Sequence, residues 1–173
     1  MSAGDGLTLR RAVAADAARL ALLGGATFLQ SFAHDHPGDA LVDHAAIANA
    51  PGWYARALAD PGNALWIVET ALEAPIGYAM LAPPAVAEPG TLELKRIYML
   101  AGWQGGGWGV RLLHAVEAEA RTRGATRLML GVYEPNTGAR RFYERHGFHP
   151  TGASQRFMVG AWESVDLVYA KPF

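Results

Sequence analysis

Cysteine is absent from the 173 residues of the chain. This absence excludes a disulfide scaffold, a thiolate metal site and a cysteine nucleophile, and it fits a reducing compartment. No charge of one sign dominates either, because 15 lysines and arginines stand against 16 aspartates and glutamates, for a formal net charge of −1. Since nucleic acid is bound through a concentrated basic face, we expect no nucleic-acid partner.

Long apolar runs are also missing, and nothing approaches the ~20 apolar residues that span a bilayer. The segment 1–20 carries no positive region ahead of an apolar run, so it does not resemble a secretion signal. We therefore expect a cytoplasmic protein without a membrane partner. A chain of this length is expected to form one domain, residues 1–173, that buries roughly 70% of its unfolded surface.

Hydrophobic periodicity and turn residues divide the chain into strands and helices. The predicted strands are Leu7–Ala12, Ala64–Thr70, Ala74–Leu81, Leu92–Leu100, Arg127–Tyr133, Phe148–Arg156 and Val165–Ala170. The predicted helices are Ala14–Leu23, ended by Gly24 and Gly25, two short ones divided by Pro51 and Gly52, then Trp108–Arg123 and Thr137–His146. The strand Arg127–Tyr133 is apolar enough to be buried on both faces. This order predicts a mixed α/β fold.

Four glycines crowd the five residues Gly105–Gly109, between a predicted strand and a predicted helix. The spacing excludes the dinucleotide fingerprint GxGxxG, because Val110 occupies the position of its third glycine. A P-loop is excluded too, since it needs lysine and then Ser or Thr where this chain has Val110 and Arg111. Two interpretations stay open: an anion site made of backbone N–H groups at a helix amino terminus, or a loop whose glycines only permit a tight turn.

Two motifs together resemble those of the GNAT acyltransferase superfamily. The letters QGGGWG, Gln104–Gly109, match its pyrophosphate-binding pattern QxxGxG, in which Gly105 and Gly106 occupy free positions. Downstream, Asn136 is followed seven residues later by Tyr143 and then by a Gly-Phe pair, which is similar to the family's second signature. A looser likeness in ATFLQSF and VDLVYAKPF is to the PaiA-type N-acetyltransferases.

The resemblance implies a fold and a reaction. The fold is a mostly antiparallel twisted sheet with helices on both faces, opened between the strand that ends at Met99 and the strand Arg127–Tyr133. The reaction moves an acetyl group from acetyl-CoA to a primary amine through a tetrahedral intermediate, without a covalent enzyme intermediate or a metal. The PaiA likeness implies a polyamine or another small-molecule amine as acceptor. For the oligomeric state we expect a monomer or homodimer. The alternatives are acetylation of a protein or peptide amine, and a CoA-binding module without catalysis.

The resemblance also assigns residues to the cofactor and to proton transfer. The cofactor-binding residues it implies are Ile97, Tyr98, Met99, Gln104, Gly105, Gly106, Gly107, Trp108, Gly109, Val110 and Asn136. Asn136 can alternatively cap the helix that it precedes. Tyr143 matches the general acid, since a phenol of pKa ~10 is protonated at neutral pH and can protonate the leaving CoA thiolate. An aromatic packing residue is the alternative for Tyr143.

Glu93 is the candidate general base, by its match to the glutamate of the histone acetyltransferase branch. Strand alternation predicts that it shares a face with Lys95, Ile97 and Met99, and a solvent-facing carboxylate is the alternative. Five residues before Asn136, where the branch that acetylates ribosomal proteins has glutamate, this chain has Gly131. This difference argues against a ribosomal protein as the substrate.

The segment after the first helix carries weaker signals. His34, Asp35 and His36 are adjacent in a loop without a further clustered ligand, so a solvated loop or part of the acceptor wall is favoured over a metal site. Asp35, Asp39 and Asp43 either attract a cationic amine or belong to an ordinary loop. The aromatic residues considered for the acceptor site are Trp53, Tyr54 and Trp66, of which Trp66 fits better in the core.

Overall fold

The computed structural model describes residues 6–173, which contain seven strands in one sheet and five α-helices. The strands are β1 (Thr8–Arg11), β2 (Ala64–Glu69), β3 (Pro75–Ala82), β4 (Thr91–Met99), β5 (Arg127–Tyr133), β6 (His149–Val159) and β7 (Trp162–Pro172). The helices are α1 (Ala17–Phe32), α2 (Gly38–Ala48), α3 (Pro51–Ala59), α4 (Trp108–Thr122) and α5 (Thr137–Arg145). Single 3₁₀ turns at Ala14–Asp16 and Ala101–Trp103 precede α1 and α4. No helix within residues 6–173 is both long and apolar enough to cross a bilayer.

The sheet has the order β1-β2-β3-β4-β5-β7-β6, and one junction in it is unlike the others. All neighbouring strands are antiparallel except β4 and β5, which run parallel. These two strands pair only from Thr91 to Glu93 on β4 and from Arg127 to Met129 on β5. Beyond those residues they separate, and the facing edges of both strands are left without a strand partner. The predicted opening of the sheet is confirmed.

Helices pack on both faces of the sheet, as predicted. On the face covered by α4 and α5, called the α4 face, Leu112, Leu113 and Val116 are fully buried against the strands. On the opposite face, called the α1 face, α1 and α3 bury Leu20 and Tyr54. The end of α1 and the start of α2 form a third apolar cluster with β6 on the same side.

The first helix does not end at Gly24 and Gly25, as the sequence predicted, but continues to Phe32. Gly24 is buried because α3 crosses close to it. A Cβ at Gly24 would collide with the Tyr54 hydroxyl and would lie 2.7 Å from Asn49 Oδ1. Close packing between helices, rather than helix termination, therefore requires this glycine.

The strand β5 is not buried on both faces, as its apolar sequence predicted, but alternates. Leu128, Leu130 and Val132 are buried in the core of the α4 face, whereas the residues between them are half-buried. On the other face, Met129 lines a cavity of about 290 Å³ instead of packing in an apolar core. The half-buried side chains of β5 border the part of the molecule where the sheet opens.

Replacing Gly24 by alanine is expected to lower the free energy of unfolding by about 1–3 kcal/mol, because the new methyl group overlaps the Tyr54 hydroxyl. Gly25 is the matched control, since nothing lies within 4 Å of its Cβ position. Alanine at Gly25 is expected to raise the free energy of unfolding by up to ~1 kcal/mol through helix propensity. Urea unfolding measures both changes, and equal effects of one sign would contradict the packing role of Gly24.

Candidate active site

The glycine loop connects the end of β4 to the first turn of α4. Its backbone passes through Gly105 at φ +84° and Gly107 at φ +79°, left-handed values that favour glycine. Gly107 is the residue directly before α4. The motif does not require glycine at position 105, but the backbone conformation there does. Gly106 has no positive φ, so backbone conformation does not explain it.

The first turn of α4 presents unpaired backbone donors. The first hydrogen bond of the helix runs from the Arg111 N–H to the Gly107 carbonyl at 3.1 Å. The N–H groups of Trp108, Gly109 and Val110 therefore have no partner within the helix. The Arg111 guanidinium lies 4.4 Å from the centroid of the buried Trp108 ring, which fixes this turn in place. Together with the helix dipole, these donors can hold an anion.

Two glutamines fix the end of β4 against this loop. The side-chain amide of Gln104 donates to the Met99 carbonyl at 3.1 Å. On α1, the Gln30 Oε1 accepts a hydrogen bond from the Ala101 N–H at 2.9 Å, and its Nε2 lies 3.5 Å from the same Met99 carbonyl. The side chain of Gln104 therefore positions the loop relative to the strand.

The end of β4 has one paired edge and one free edge. Ile97, Tyr98 and Met99 pair with β3 on one side. On the other side they border the opening, because the pairing of β4 with β5 stops at Glu93. The backbone groups on this free edge are available to an extended ligand that lies along the strand.

Tyr143 stands on α5 at the same opening. Its side chain is 8% exposed, and its ring lies edge-on to Phe142 and Phe148, with centroid distances of 5.4 and 5.7 Å. Burial raises its pKa above the ordinary value of a phenol, and the charges of Tyr98 and Asp166 add to the shift. The Tyr143 phenol is therefore protonated at neutral pH.

Asn136 caps α5, which is one of the two roles predicted for it. Its Oδ1 accepts a hydrogen bond from the Ala139 N–H at 3.0 Å. A cavity of about 320 Å³ lies beside this cap, between the start of α5 and the end of α1. Its lining includes Ser31, His34, Tyr133, Asn136 and Thr137.

Glu93 is buried, with 6% of its surface exposed, and is paired with a lysine. The Lys95 Nζ lies 3.3 Å from Glu93 Oε1 and 3.4 Å from Oε2. The alternative of a solvent-facing carboxylate is therefore wrong. The carboxylate lines the cavity of about 290 Å³ on the α1 face, together with Lys95, Met129 and Gln155.

Glu93 shares a face with Lys95, as predicted, but not with Ile97 and Met99, because β4 contains a bulge. Near Lys95, two adjacent residues of β3 pair with β4 residues that are two positions apart, so one extra residue interrupts the alternation. As a result, Ile97 and Met99 pack in the core of the α4 face, whereas Glu93 lies on the α1 face.

Asp166 on β7 is a carboxylate that the sequence interpretation missed. It pairs with Tyr133 on β5 and with Gln155 on β6. Its Oδ2 lies 3.0 Å from the point where a Cβ of Gly131 would stand, and the Gln155 amide occupies the rest of that space. The room left by the missing side chain at 131 thus holds a carboxylate from the adjacent strand. The available signal was a single aspartate within the apolar run VDLVYA.

The charge of Asp166 is coupled to the groups around the opening. Burial raises its pKa to about 6, the Glu93 carboxylate adds to this shift, and Lys95 opposes it. Within residues 6–173, no hydrogen bond to its carboxylate offsets the cost of burial. Burial raises the pKa of Tyr98, and the negative charge of Asp166 raises it further. The same charge also adds to the raised pKa of Tyr143. The charge of Asp166 is therefore coupled to the Glu93 carboxylate and to the phenols of Tyr98 and Tyr143.

The aromatic residues considered for the acceptor site have structural contacts. Arg96 on β4 donates to the Tyr54 hydroxyl at 2.6 Å and to Asn49 Oδ1 at 3.2 Å. Its guanidinium lies 4.0 Å from the centroid of the half-buried Trp53 ring. Trp53 and Tyr54 therefore hold Arg96 against α3. Trp66 is buried in the core of the α4 face, as its apolar strand predicted.

The loop after α1 is mostly exposed, as the solvated-loop interpretation predicted, but His36 ties it to β7. The buried His36 places Nδ1 at 2.6 Å from Asp35 Oδ1 and Nε2 at 2.8 Å from Ser164 Oγ. Asp35 also accepts a hydrogen bond from the Tyr133 hydroxyl at 3.0 Å. In the described part of the chain, no group of three or more His, Cys, Asp and Glu side chains is placed to hold a metal ion. The other two acidic residues of this segment, Asp39 and Asp43, are exposed.

The sequence matches the model of the Acetyltransferase (GNAT) family over residues 27–148, which is more than half of the chain. The chain belongs to this family. A Mycobacterium bovis protein named an uncharacterized N-acetyltransferase is 38% identical over 96 residues, which cover 56% of this chain and 59% of that protein. The match thus spans less than two thirds of the relative's length.

Solved structures share the whole fold at low identity. The PaiA N-acetyltransferase of Thermoplasma acidophilum, in complex with coenzyme A, has a TM-score of 0.78 at 15% identity, covering 96% of this chain and 99% of that one. A ribosomal-protein-alanine N-acetyltransferase of Brucella melitensis has a TM-score of 0.73 at 24% identity, covering 96% and 99%. At these identities the likeness shows the fold and does not select an acceptor.

Proposed function

We propose that this chain is an acetyl-CoA-dependent N-acetyltransferase whose acceptor is a small primary amine. The observation that carries the proposal is the opening between β4 and β5, where free helix N–H donors, a free strand edge and a protonated phenol border one space. Membership of the acetyltransferase family supports the same reaction.

The donor proposed for this space is acetyl-CoA. Its pyrophosphate is held by the unpaired N–H groups of Trp108–Val110, and its pantetheine arm lies along Ile97–Met99 like an additional strand. A backbone N–H near Met99 polarises the thioester carbonyl. The coenzyme A bound by the Thermoplasma acidophilum protein, which shares the fold, supports this choice of donor.

The chemistry proposed is direct attack of the amine on the thioester. Holding both reactants in one opening makes the attack effectively unimolecular. The tetrahedral intermediate collapses with release of the CoA thiolate, and Tyr143 gives this thiolate its proton. A carboxylate on the acceptor side takes the proton of the ammonium, and Glu93 is the candidate that the sequence supplies.

The acceptor proposed is a small cationic amine, such as a polyamine, that enters from the α1 face. Glu93 and Asp166 offset Lys95 there, so the local charge favours a cation. The cavity lined by Glu93 and Gln155, at about 290 Å³, has room for a small molecule. At Gly131 the chain lacks the glutamate of the branch that acetylates ribosomal proteins, which supports a small amine over a peptide.

Turnover tests the proposed function. The protein is mixed with acetyl-CoA and, separately, spermidine, a lysine-containing peptide or no amine, and the release of free thiol is followed. We expect thiol release with spermidine well above the blank and above the peptide. Preference for the peptide would favour a protein acetyltransferase, whereas tight CoA binding without turnover on either amine would favour a binding module.

Gly107→Val is expected to abolish CoA binding, because a side chain blocks the approach of the pyrophosphate to the backbone. Gly124→Val is the matched control at the other end of α4, since the two glycines have nearly equal φ values of +79° and +78°. Both variants bear similar backbone strain, about 1–3 kcal/mol. Calorimetric titration with CoA is expected to show normal affinity only for the Gly124 variant, and equal affinities would contradict the loop assignment.

Tyr143→Phe is expected to lower kcat by ~10² or more with little change in CoA affinity, because the leaving thiolate loses its proton donor. Tyr169→Phe is the control: it also removes a buried hydroxyl, one that donates to Glu144 Oε1 at 2.9 Å away from the reacting atoms. Steady-state turnover and CoA titration measure both variants. Unchanged turnover in Tyr143→Phe would remove the assignment of the acid.

A further inference from the structure

Resting on the proposed function, we infer that Asp166, rather than Glu93, is the general base that takes the proton from the acceptor ammonium. Nothing in the motifs of the glycine loop or of α5 includes this residue. The inference depends on where β7 places its carboxylate relative to the opening of the sheet.

The position of Asp166 is set by three adjacent strands. β7 lies between β5 and β6, and Asp166 stands opposite Tyr133 and Gln155. Because Gly131 has no side chain, the carboxylate lies over β5, at 3.0 Å from the Cβ position of that glycine. β5 is one wall of the opening, so the carboxylate lies beside the space proposed for the reacting amine.

The environment of Asp166 suits a base at neutral pH. The charged and titratable groups coupled to its charge are Glu93, Lys95 and Tyr98 from β4, Tyr133 from β5 and Tyr143 from α5. Burial and the Glu93 carboxylate raise its pKa to about 6, against the attraction of Lys95. A carboxylate with a raised pKa is ionised at neutral pH and accepts a proton more readily than an ordinary one.

Glu93 is less suited to the same step. Its two oxygens lie 3.3 and 3.4 Å from the Lys95 ammonium, so an ammonium substrate has to displace that partner. The carboxylate of Asp166 has no such ion pair within residues 6–173. Glu93 instead acts on Asp166 through space, as the negative charge that raises its affinity for a proton.

The proton and electron balance of the proposed step is complete. The Asp166 carboxylate removes one proton from the ammonium, and the nitrogen lone pair forms the bond to the thioester carbon. The intermediate collapses by cleavage of the carbon–sulfur bond, and the thiolate takes the proton of the Tyr143 phenol. The second proton on nitrogen leaves as the amide forms and restores the phenol, and Asp166 releases its proton to water. The net products are the acetamide, CoA thiol and one proton.

The test is the pH dependence of kcat/KM, measured for wild type with two amines of different pKa. With Asp166 as base, kcat/KM rises as pH increases through about 6 and then levels, at the same pH for both amines. Asp166→Asn is expected to lower kcat/KM at neutral pH by ~10² or more. Its residual rate is expected to rise tenfold per pH unit up to the pKa of each amine, since only amine deprotonated in solution can then react. Asp166→Glu keeps a carboxylate. This variant is expected to restore part of the activity and the rise of kcat/KM near pH 6.

Stability separates this role from a structural one. The pKa of Asp166 in the folded state exceeds the ordinary carboxyl value, so its contribution to folding is favourable at low pH and is lost as pH rises through about 6. Asp166→Asn is therefore expected to unfold at no lower temperature than wild type at neutral pH. Glu163→Gln, an exposed change on the same strand, is expected to alter neither turnover nor the pH profile.

The outcomes distinguish the inference from the proposed function. If wild type shows no turnover with any amine, the proposed function fails, and the base assignment fails with it. If wild type turns over an amine but its acidic limb shifts with the amine pKa, Asp166 is not the base, and this result needs no variant. If kcat/KM of Asp166→Asn still rises near pH 6 while that of Glu93→Gln does not, Glu93 is the base and the inference is wrong.

Discussion

The arrangement of the site depends on how briefly β4 and β5 pair. The parallel ladder covers only Thr91–Glu93 and Arg127–Met129. Each strand is held on its other side by a longer antiparallel ladder, β4 by β3 and β5 by β7, so the two halves of the sheet stay rigid while they diverge. The bulge near Lys95 adds local twist to β4 just where the pairing stops.

The opening interrupts the layer of backbone that separates the two faces of the sheet. Tyr143 belongs to the core of the α4 face, whereas Glu93 and Asp166 lie on the side of α1. A closed sheet would separate such groups by a layer of backbone. Burial raises the pKa of Tyr143, and the charges of Tyr98 and of Asp166, on the other side of the sheet, add to that shift. In the proposed reaction, Tyr143 serves as the acid and Asp166 as the base, from opposite faces of the sheet.

The sequence predicted the elements whose signals are local. The order of the strands along the chain, the strand–loop–helix unit around Gly105–Gly109 and the opening of the sheet agree with the structure. These features depend on periodicity, turn residues and two spaced motifs, each contained in a short segment. The motif does not require glycine at position 105, and the structure explains this glycine by its left-handed φ.

The features that the sequence did not predict depend on contacts between distant segments. Gly24 looked like a helix stop, but the approach of Tyr54 thirty residues later requires it. Glu93 was predicted to share a face with Ile97 and Met99 because alternation assumes an unbroken ladder. The bulge in β4 changes the face, and no feature of the amino-acid composition signals a bulge. Asp166 was missed because its environment is set by a distant residue, Gly131. The pairing of β5 with β7 brings the Asp166 carboxylate into the space left by the missing side chain of that glycine.

The central claim is that transfer takes place in the opening between β4 and β5, and a crystal structure with coenzyme A and a trapped amine tests it most directly. The pyrophosphate is expected within hydrogen-bond distance of the N–H groups of Trp108–Val110, with the sulfur beside the Tyr143 hydroxyl and the amine nitrogen beside the Asp166 carboxylate. Coenzyme A bound elsewhere, or β4 and β5 paired along their full length around an empty centre, would contradict the claim.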